Sequence, residues 1–216
     1  MKKILLLLTL AAGLTTAVNA QDKPVSFGVK AGLALPSQTA SSMGFSMSTS
    51  SKVAFYFGGV ANINISPIFS LQPGLTYVGK GGKLDFSEIG EEFGLDEEQT
   101  GEMKATTNMS YLELPVNLTA NFAAGTGKFF VGAGPYAAYA LSGNEKAGDV
   151  KVDMEFGSGD DQAKRLEFGL NFLAGYQLQS GLNIHAGYGL GLSNLQNTSE
   201  TTVKNRVFSV GLGFNF

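Results

Sequence analysis

The chain has 216 residues, enough for one domain, with only 15% charged residues, 29 Gly, 16 Phe and no Trp. The absence of cysteine excludes disulfides, thiolate metal sites, a cysteine nucleophile and the lipid-bearing cysteine of a bacterial lipoprotein. The formal charge is −3, and subtracting Lys2 and Lys3 gives −5, so the basic footprint that nucleic acid demands is missing.

The first element is an export signal. Lys2 and Lys3 form a positive n-region, Ile4 to Leu14 an apolar stretch, and Val18-Asn19-Ala20 a small-residue cleavage site before Gln21. That apolar stretch falls short of the roughly 20 residues a membrane-spanning helix needs. Residues 1–20 are therefore expected to be removed, leaving 21–216 as the mature domain.

From there the periodicity is two. In Val25 to Leu35 the odd positions Val25, Phe27, Val29, Ala31, Leu33 and Leu35 are apolar, while the even ones include Ser26, Gly28, Lys30 and Gly32. Val53 to Ile65 sets Val53, Phe55, Phe57, Ile63 and Ile65 against Tyr56, Gly58, Asn62 and Asn64. Phe69 to Tyr77, Ser110 to Phe122 and Phe129 to Leu141 repeat the split, with Glu113 on the polar face. Three further segments are the most regular: Leu166 to Gln177 with Glu167, Leu182 to Ser193 with His185, and Val207 to Phe216. Eight strands follow one pattern.

The connections alternate in length. Ser66-Pro67, Ala123 to Gly127 and Gln179 to Gly181 are tight, whereas Pro36 to Lys52, Val78 to Met109, Ser142 to Arg165 and Asn194 to Asn205 are long. Fourteen of the 18 acidic residues fall within 79–105 and 142–165. Short turns at one end and long loops at the other are the layout of outer-membrane barrels. The expected fold is all-β, an eight-stranded antiparallel up-and-down transmembrane β-barrel in the cell outer membrane, with both mature termini periplasmic.

A water-soluble barrel of eight strands is the competing architecture. It would turn the Gly- and Asn-rich face to water, yet a soluble surface is about 25–35% charged and this face carries few charges. The same residues suit a narrow interior, where small side chains relieve crowding. The apolar face then meets lipid. Phe69, Phe122, Phe129 and Phe216 fall near the turn side, as an interfacial aromatic girdle requires. The alternating ending with Phe214 and Phe216 resembles the signal read by the barrel-assembly machinery. Pro73, Pro115 and Pro135 lie inside strands, each removing a ladder donor, and bulges are expected there.

Three stretches carry a resemblance: Phe27-Gly28-Val29-Lys30-Ala31-Gly32-Leu33, Tyr111-Leu112-Glu113-Leu114-Pro115-Val116 and Gly132-Ala133-Gly134-Pro135-Tyr136. In their order they are similar to the PorT-type outer-membrane β-barrel family common in Bacteroidetes. The resemblance covers essentially the whole mature chain and implies a fold and a location rather than an activity. Its eponymous member is associated with protein secretion.

No catalytic, cofactor or metal motif stands out. Lys30, Glu113, Glu167 and His185 are expected to face the lumen as a polar network, with Lys128 or Arg165 as further members, because charges in a narrow barrel must be paired or hydrated. A base role for His185 beside Glu113 or Glu167, with Ser193 or Ser209, is the sharper alternative. Glu91-Glu92, Asp96-Glu97-Glu98 and Asp160-Asp161 lack the spacing of a calcium loop and read as solvated loops. Ser37 to Ser51 reads as a mobile loop, and Gly79-Lys80-Gly81-Gly82-Lys83 does not match a phosphate-binding loop. The expected function is non-enzymatic, with the acidic loops contacting a surface partner or serving a secretion or assembly complex. A narrow ion channel and a lipid-modifying enzyme using His185 are the alternatives. Expected partners are outer-membrane lipid, the assembly machinery and such a complex, with no cofactor.

Overall fold

The computed structural model describes residues 24–85, 104–159, 161–198 and 200–216. The expected signal peptide and the acidic runs Glu91-Glu92, Asp96-Glu97-Glu98 and Asp160 lie outside the described residues.

Ten strands follow in order: β1 (Val25–Ser42), β2 (Phe45–Ser48), β3 (Ala54–Asn64), β4 (Phe69–Asp85), β5 (Lys104–Ala124), β6 (Gly127–Ala147), β7 (Val150–Asp153), β8 (Leu166–Leu178), β9 (Leu182–Gly191) and β10 (Thr201–Asn215). The eight long ones pair antiparallel with their chain neighbours, and β10 pairs with β1 to close the ring. The four-residue β2 and β7 pair with β1 and β6 at the long-loop end.

Alternation decides which face looks out. On β5, Tyr111 is 0% and Glu113 9% exposed, whereas Leu112 is 37% and Leu114 56% exposed. The outward residues are large and apolar all the way round, from Val25 and Phe27 to Phe214 and Phe216. Such a surface is unfavourable in water and favourable in lipid.

The register gives the barrel its dimensions. Partners run Val25, Ile63, Leu71, Leu118, Ala133, Phe172, Tyr188, Phe208 and back to β1 at Leu35. One circuit therefore returns ten residues displaced, since 35 minus 25 is ten. With about 3.3 Å rise and 4.8 Å strand spacing, that shear tilts the strands by about 40°. Phe129 and Tyr139 bracket the lipid face of β6; at that tilt they stand about 25 Å apart along the barrel axis, the height of an outer-membrane apolar band.

Three expectations need correction. Bulges do not form at the prolines: the ladder breaks between Pro73↔Val116 and Thr76↔Glu113, and between Pro115↔Tyr136 and Leu118↔Ala133, but resumes in the same register. Each proline removes only one donor, so a local gap suffices. The register shift lies instead between Ser110 and Tyr111, opposite Ser142 and Ala140, with Leu141 as the extra residue. The long connections are also shorter than expected, because β1, β4, β5, β6 and β10 continue past the lipid band. Ser37 to Ser51 accordingly forms a β1–β2 hairpin, turning at Met43-Gly44 with positive φ at both, rather than a loop. Two of the tight turns, by contrast, hold Gly125 and Gly181 at φ of 58° and 90°, a region glycine enters without strain.

Candidate functional site

The centre of the lumen is Lys80, on the inward face of β4 just beyond the lipid band. Its Nζ lies 2.9 Å from Glu113 Oε2 on β5 and 3.1 Å from Glu167 Oε1 on β8. The ammonium also sits 4.4 Å from the centroid of the Tyr136 ring and 5.1 Å from that of Tyr111, a cation–π arrangement. Glu167 is fully buried and accepts from Tyr136 Oη at 2.6 Å and Asn205 Nδ2 at 2.8 Å. Asn205 Oδ1 in turn accepts from Gln38, and Glu113 Oε1 from Asn171. Each of the four carboxylate oxygens thus has at least one donor, as a buried charge requires. Gly169, opposite this cluster, makes room for it: a Cβ there would overlap the Tyr136 ring.

His185 belongs to a second cluster. Its Nε2 is 2.6 Å from Tyr56 Oη and its Nδ1 2.9 Å from Asn183 Oδ1. With Nδ1 donating to Asn183, Nε2 accepts the Tyr56 hydroxyl. Small residues again permit it, since a Cβ on Gly32 or Gly211 would collide with the Tyr56 ring or hydroxyl.

Of the four sequence-derived residues, Glu113 and Glu167 meet through Lys80, while His185 bonds to Tyr56 and Asn183 instead. Lys30 lies on the cavity wall and among the described residues makes no hydrogen bond or ion pair. Lys128 lines the cavity toward the turn end. Arg165 lies outside the network: it donates to Ala140 O and stacks over Tyr139 and Phe156. Ser193 bonds to the Phe168 backbone and Ser209 to Gly187 O, and among the described residues no serine or carboxylate hydrogen-bonds the imidazole as nucleophilic catalysis requires. Among the described residues no group of three His, Asp or Glu side chains is placed to hold a metal.

Lys80 was missed by the sequence reading because the third strand was ended at Tyr77. The signal was present: inward positions Ser70, Gln72, Gly74 and Thr76 continue in step to Val78 and Lys80. An apolar residue at an inward position hid the continuation.

Below Lys80 a cavity of about 160 Å³ runs to the turn end, lined by Lys30, Thr76, Asn117, Asn121, Gln177 and Asn215 among others. That volume holds about ten waters. Asn62 Nδ2, Thr76 Oγ1 and Asn117 Oδ1, on residues of its wall, are buried without a partner in the protein. Toward the loop end the lumen is packed and apolar: Met109, Tyr111 and Leu195 form a buried cluster, covered by Met154, Phe156 and Val203, while Tyr56, Val78 and Val207 belong to the cluster and also line the cavity.

A closed eight-stranded ring with an apolar exterior and a filled interior has one natural solvent, a lipid bilayer. Residues 19–197 match the family model described as outer membrane protein beta-barrel domain. The chain belongs to that family. It is therefore an outer-membrane β-barrel protein. No curated protein matches the sequence. Similar solved structures include Neisserial surface protein A, at 17% identity and TM-score 0.48 over 90% of this chain and 100% of that one. The attachment invasion locus protein Ail of Yersinia pestis aligns at 12% identity and TM-score 0.45, with the same coverage of both chains. The N-terminal β-barrel domain of Pseudomonas aeruginosa OprF aligns at 12% identity and TM-score 0.37, over 88% of this chain and 97% of that one.

Proposed function

We propose that the protein is a non-enzymatic surface-interaction barrel. Its long-loop end faces outside the cell, both mature termini are periplasmic, and its acidic loops contact a surface partner or a secretion or assembly complex of the PorT type. The observation that carries this reading is the distribution of material along the axis. Five barrel strands continue past the lipid band while the lumen at the same level is filled with apolar side chains. That arrangement favours presentation over passage. The occupied nitrogens of His185 and the full set of donors on both glutamates likewise favour structure over catalysis.

Photo-crosslinking in intact cells, from probes placed in residues 79–105 and 142–165, tests the proposal. A reproducible protein adduct identified by mass spectrometry supports an interaction role. Adducts to lipid or polysaccharide alone, or none, overturn it.

A narrow channel is the second reading, favoured by the hydrated cavity and its unpartnered polar atoms. It requires a water path past Lys80 and the Tyr111 cluster. Planar-bilayer recordings decide it: the proposed function predicts silence, and ohmic steps from the purified barrel contradict it.

A further inference from the structure

The register brings three lysines onto one row of the protruding sheet. Lys83 on β4 pairs with Thr106 on β5, Thr106 with Lys146 on β6, and Lys146 with Lys151 on β7. All three lysines are exposed. Alternation fixes the face they share. Met109 and Tyr111 point inward and Thr106 keeps the opposite parity, so the row looks away from the barrel axis, in the direction of the lipid face below it.

Among the described residues the row itself carries three positive charges and no negative one. Lys146 and Lys151 stand directly opposite one another, an arrangement that destabilises a strand pair when nothing lies between the charges. No carboxylate occupies the row. Asp149 and Asp153 flank Lys151 along the chain, and Asp153 pairs with Asn144 one step below the row. Among the described residues Lys83, Lys146 and Lys151 make no ion pair. The excess charge is felt nearby: Lys52, in the connection between β2 and β3, is held below the usual lysine range by burial and then by Lys83. At the foot of the patch the Arg165 guanidinium lies 5.7 Å from the Tyr139 ring, at the edge of the lipid band.

Height selects the partner. Lys83 is six residues beyond Tyr77, which at the barrel's tilt is about 15 Å above the band. That exceeds the polar layer of a phospholipid, roughly 5–8 Å per leaflet. It matches a headgroup built of several sugars.

We infer that Lys83, Lys146 and Lys151, with Arg165 beneath them, form a binding face for the phosphorylated saccharide of an outer-leaflet glycolipid. The lysines meet phosphates on the outer sugars, and Arg165 meets one nearer the acyl chains, where a guanidinium takes a phosphate through two parallel hydrogen bonds. The inference rests on the loop end facing outward, which has its own control.

The test uses the full-length folded barrel in detergent and native mass spectrometry. The probe is a rough lipopolysaccharide with its core sugars and core phosphates intact, run beside the same molecule after phosphatase treatment. The K83Q/K146Q/K151Q variant should lose about tenfold in apparent affinity, as three solvent-facing charge contacts would give. The corresponding triple arginine variant should retain binding, and phosphatase treatment should cost the wild type a similar factor. Glutamine-variant affinity indistinguishable from wild type, or equal binding of the dephosphorylated probe, overturns the inference. Should the triple variant fail to show folded-barrel gel migration, K151Q replaces it, since β7 lies outside the closed ring. For sidedness, S46C places a lone thiol in a chain with no cysteine. Labelling by an impermeant maleimide on intact cells supports the required orientation. Labelling only after the outer membrane is opened overturns the inference and the proposed sidedness together, but leaves a protein adduct from the crosslinking experiment standing.

Discussion

Toward the turn end the lumen is lined by Asn, Gln, Thr and two lysines around a cavity, and toward the loop end Met109, Tyr111 and Leu195 close it as a dry cluster, whose Val78 and Val207 also border the cavity. The lower half holds three buried polar atoms without a partner in the protein, Asn62 Nδ2, Thr76 Oγ1 and Asn117 Oδ1, on residues of the cavity wall. Lys80, Glu113 and Glu167 sit at the boundary, where the charges must be neutralised by one another and by hydrogen bonds from Tyr136, Asn171 and Asn205. The contrast teaches where the barrel is brittle: substitutions at the boundary and in the dry half should be costly, and those in the wet half cheap.

The largest effect is expected for Lys80→Met, which leaves two buried carboxylates facing each other without a cation. Removing one partner of such a pair costs about 3–5 kcal/mol. Guanidinium unfolding in detergent, followed by far-UV circular dichroism, measures it. Combining Lys80→Met with Glu113→Gln and Glu167→Gln should recover most of that loss. If the single variant is as stable as wild type, the cluster is hydrated and the division into two halves is wrong. Somewhat smaller, about 2–4 kcal/mol, is the penalty for Leu118→Arg near the middle of the lipid face of β5, read by the same unfolding. Asn117→Ser, one residue away but in the wet half, should change stability by a few tenths of a kcal/mol. Equal effects from the two neighbours would contradict the assignment of faces.

The assignment of faces was also what the sequence exposed best. Period-two alternation with glycine opposite phenylalanine carried the eight strands, the tight turns and the lipid-facing residues, because each depends only on neighbours along the chain. What alternation does not carry is cross-strand partnership. Lys80 and Glu167 are 87 positions apart and meet through a register that accumulates over β5 and β6, including the extra residue Leu141. A one-residue error in any ladder changes every such pair. The strand ends were lost for a different reason. Beyond the lipid band the outward face of β4, β5 and β6 becomes polar or small, with Gly79, Lys83, Thr106, Ser110, Ser142 and Lys146, so the alternation that marks a membrane strand fades while the backbone ladder continues. The dry upper half went unseen with it, since Val78 and Met109 were assigned to a connection.

The contrast between the halves is sharpened by Gly169→Ala. The added methyl overlaps the Tyr136 ring, which is pinned by its bond to Glu167 and cannot turn aside without leaving that carboxylate a donor short. Overpacking of this kind costs about 1–3 kcal/mol. In a Tyr136→Ala background the ring is gone and only the 2.3 Å approach of the methyl to the Leu190 carbonyl oxygen remains, so the cost should fall without vanishing and a double-mutant cycle isolates the Tyr136 coupling. Smallest is Tyr56→Phe, where the apolar cluster borders the cavity. It removes the hydroxyl that His185 Nε2 accepts, but the ring faces the hydrated cavity, where a water replaces the lost donor. The change should stay below about 1 kcal/mol. A larger loss would mean that the imidazole is sealed from the cavity, which would move the dry boundary down from Lys80 to the level of His185 and shorten the hydrated space accordingly.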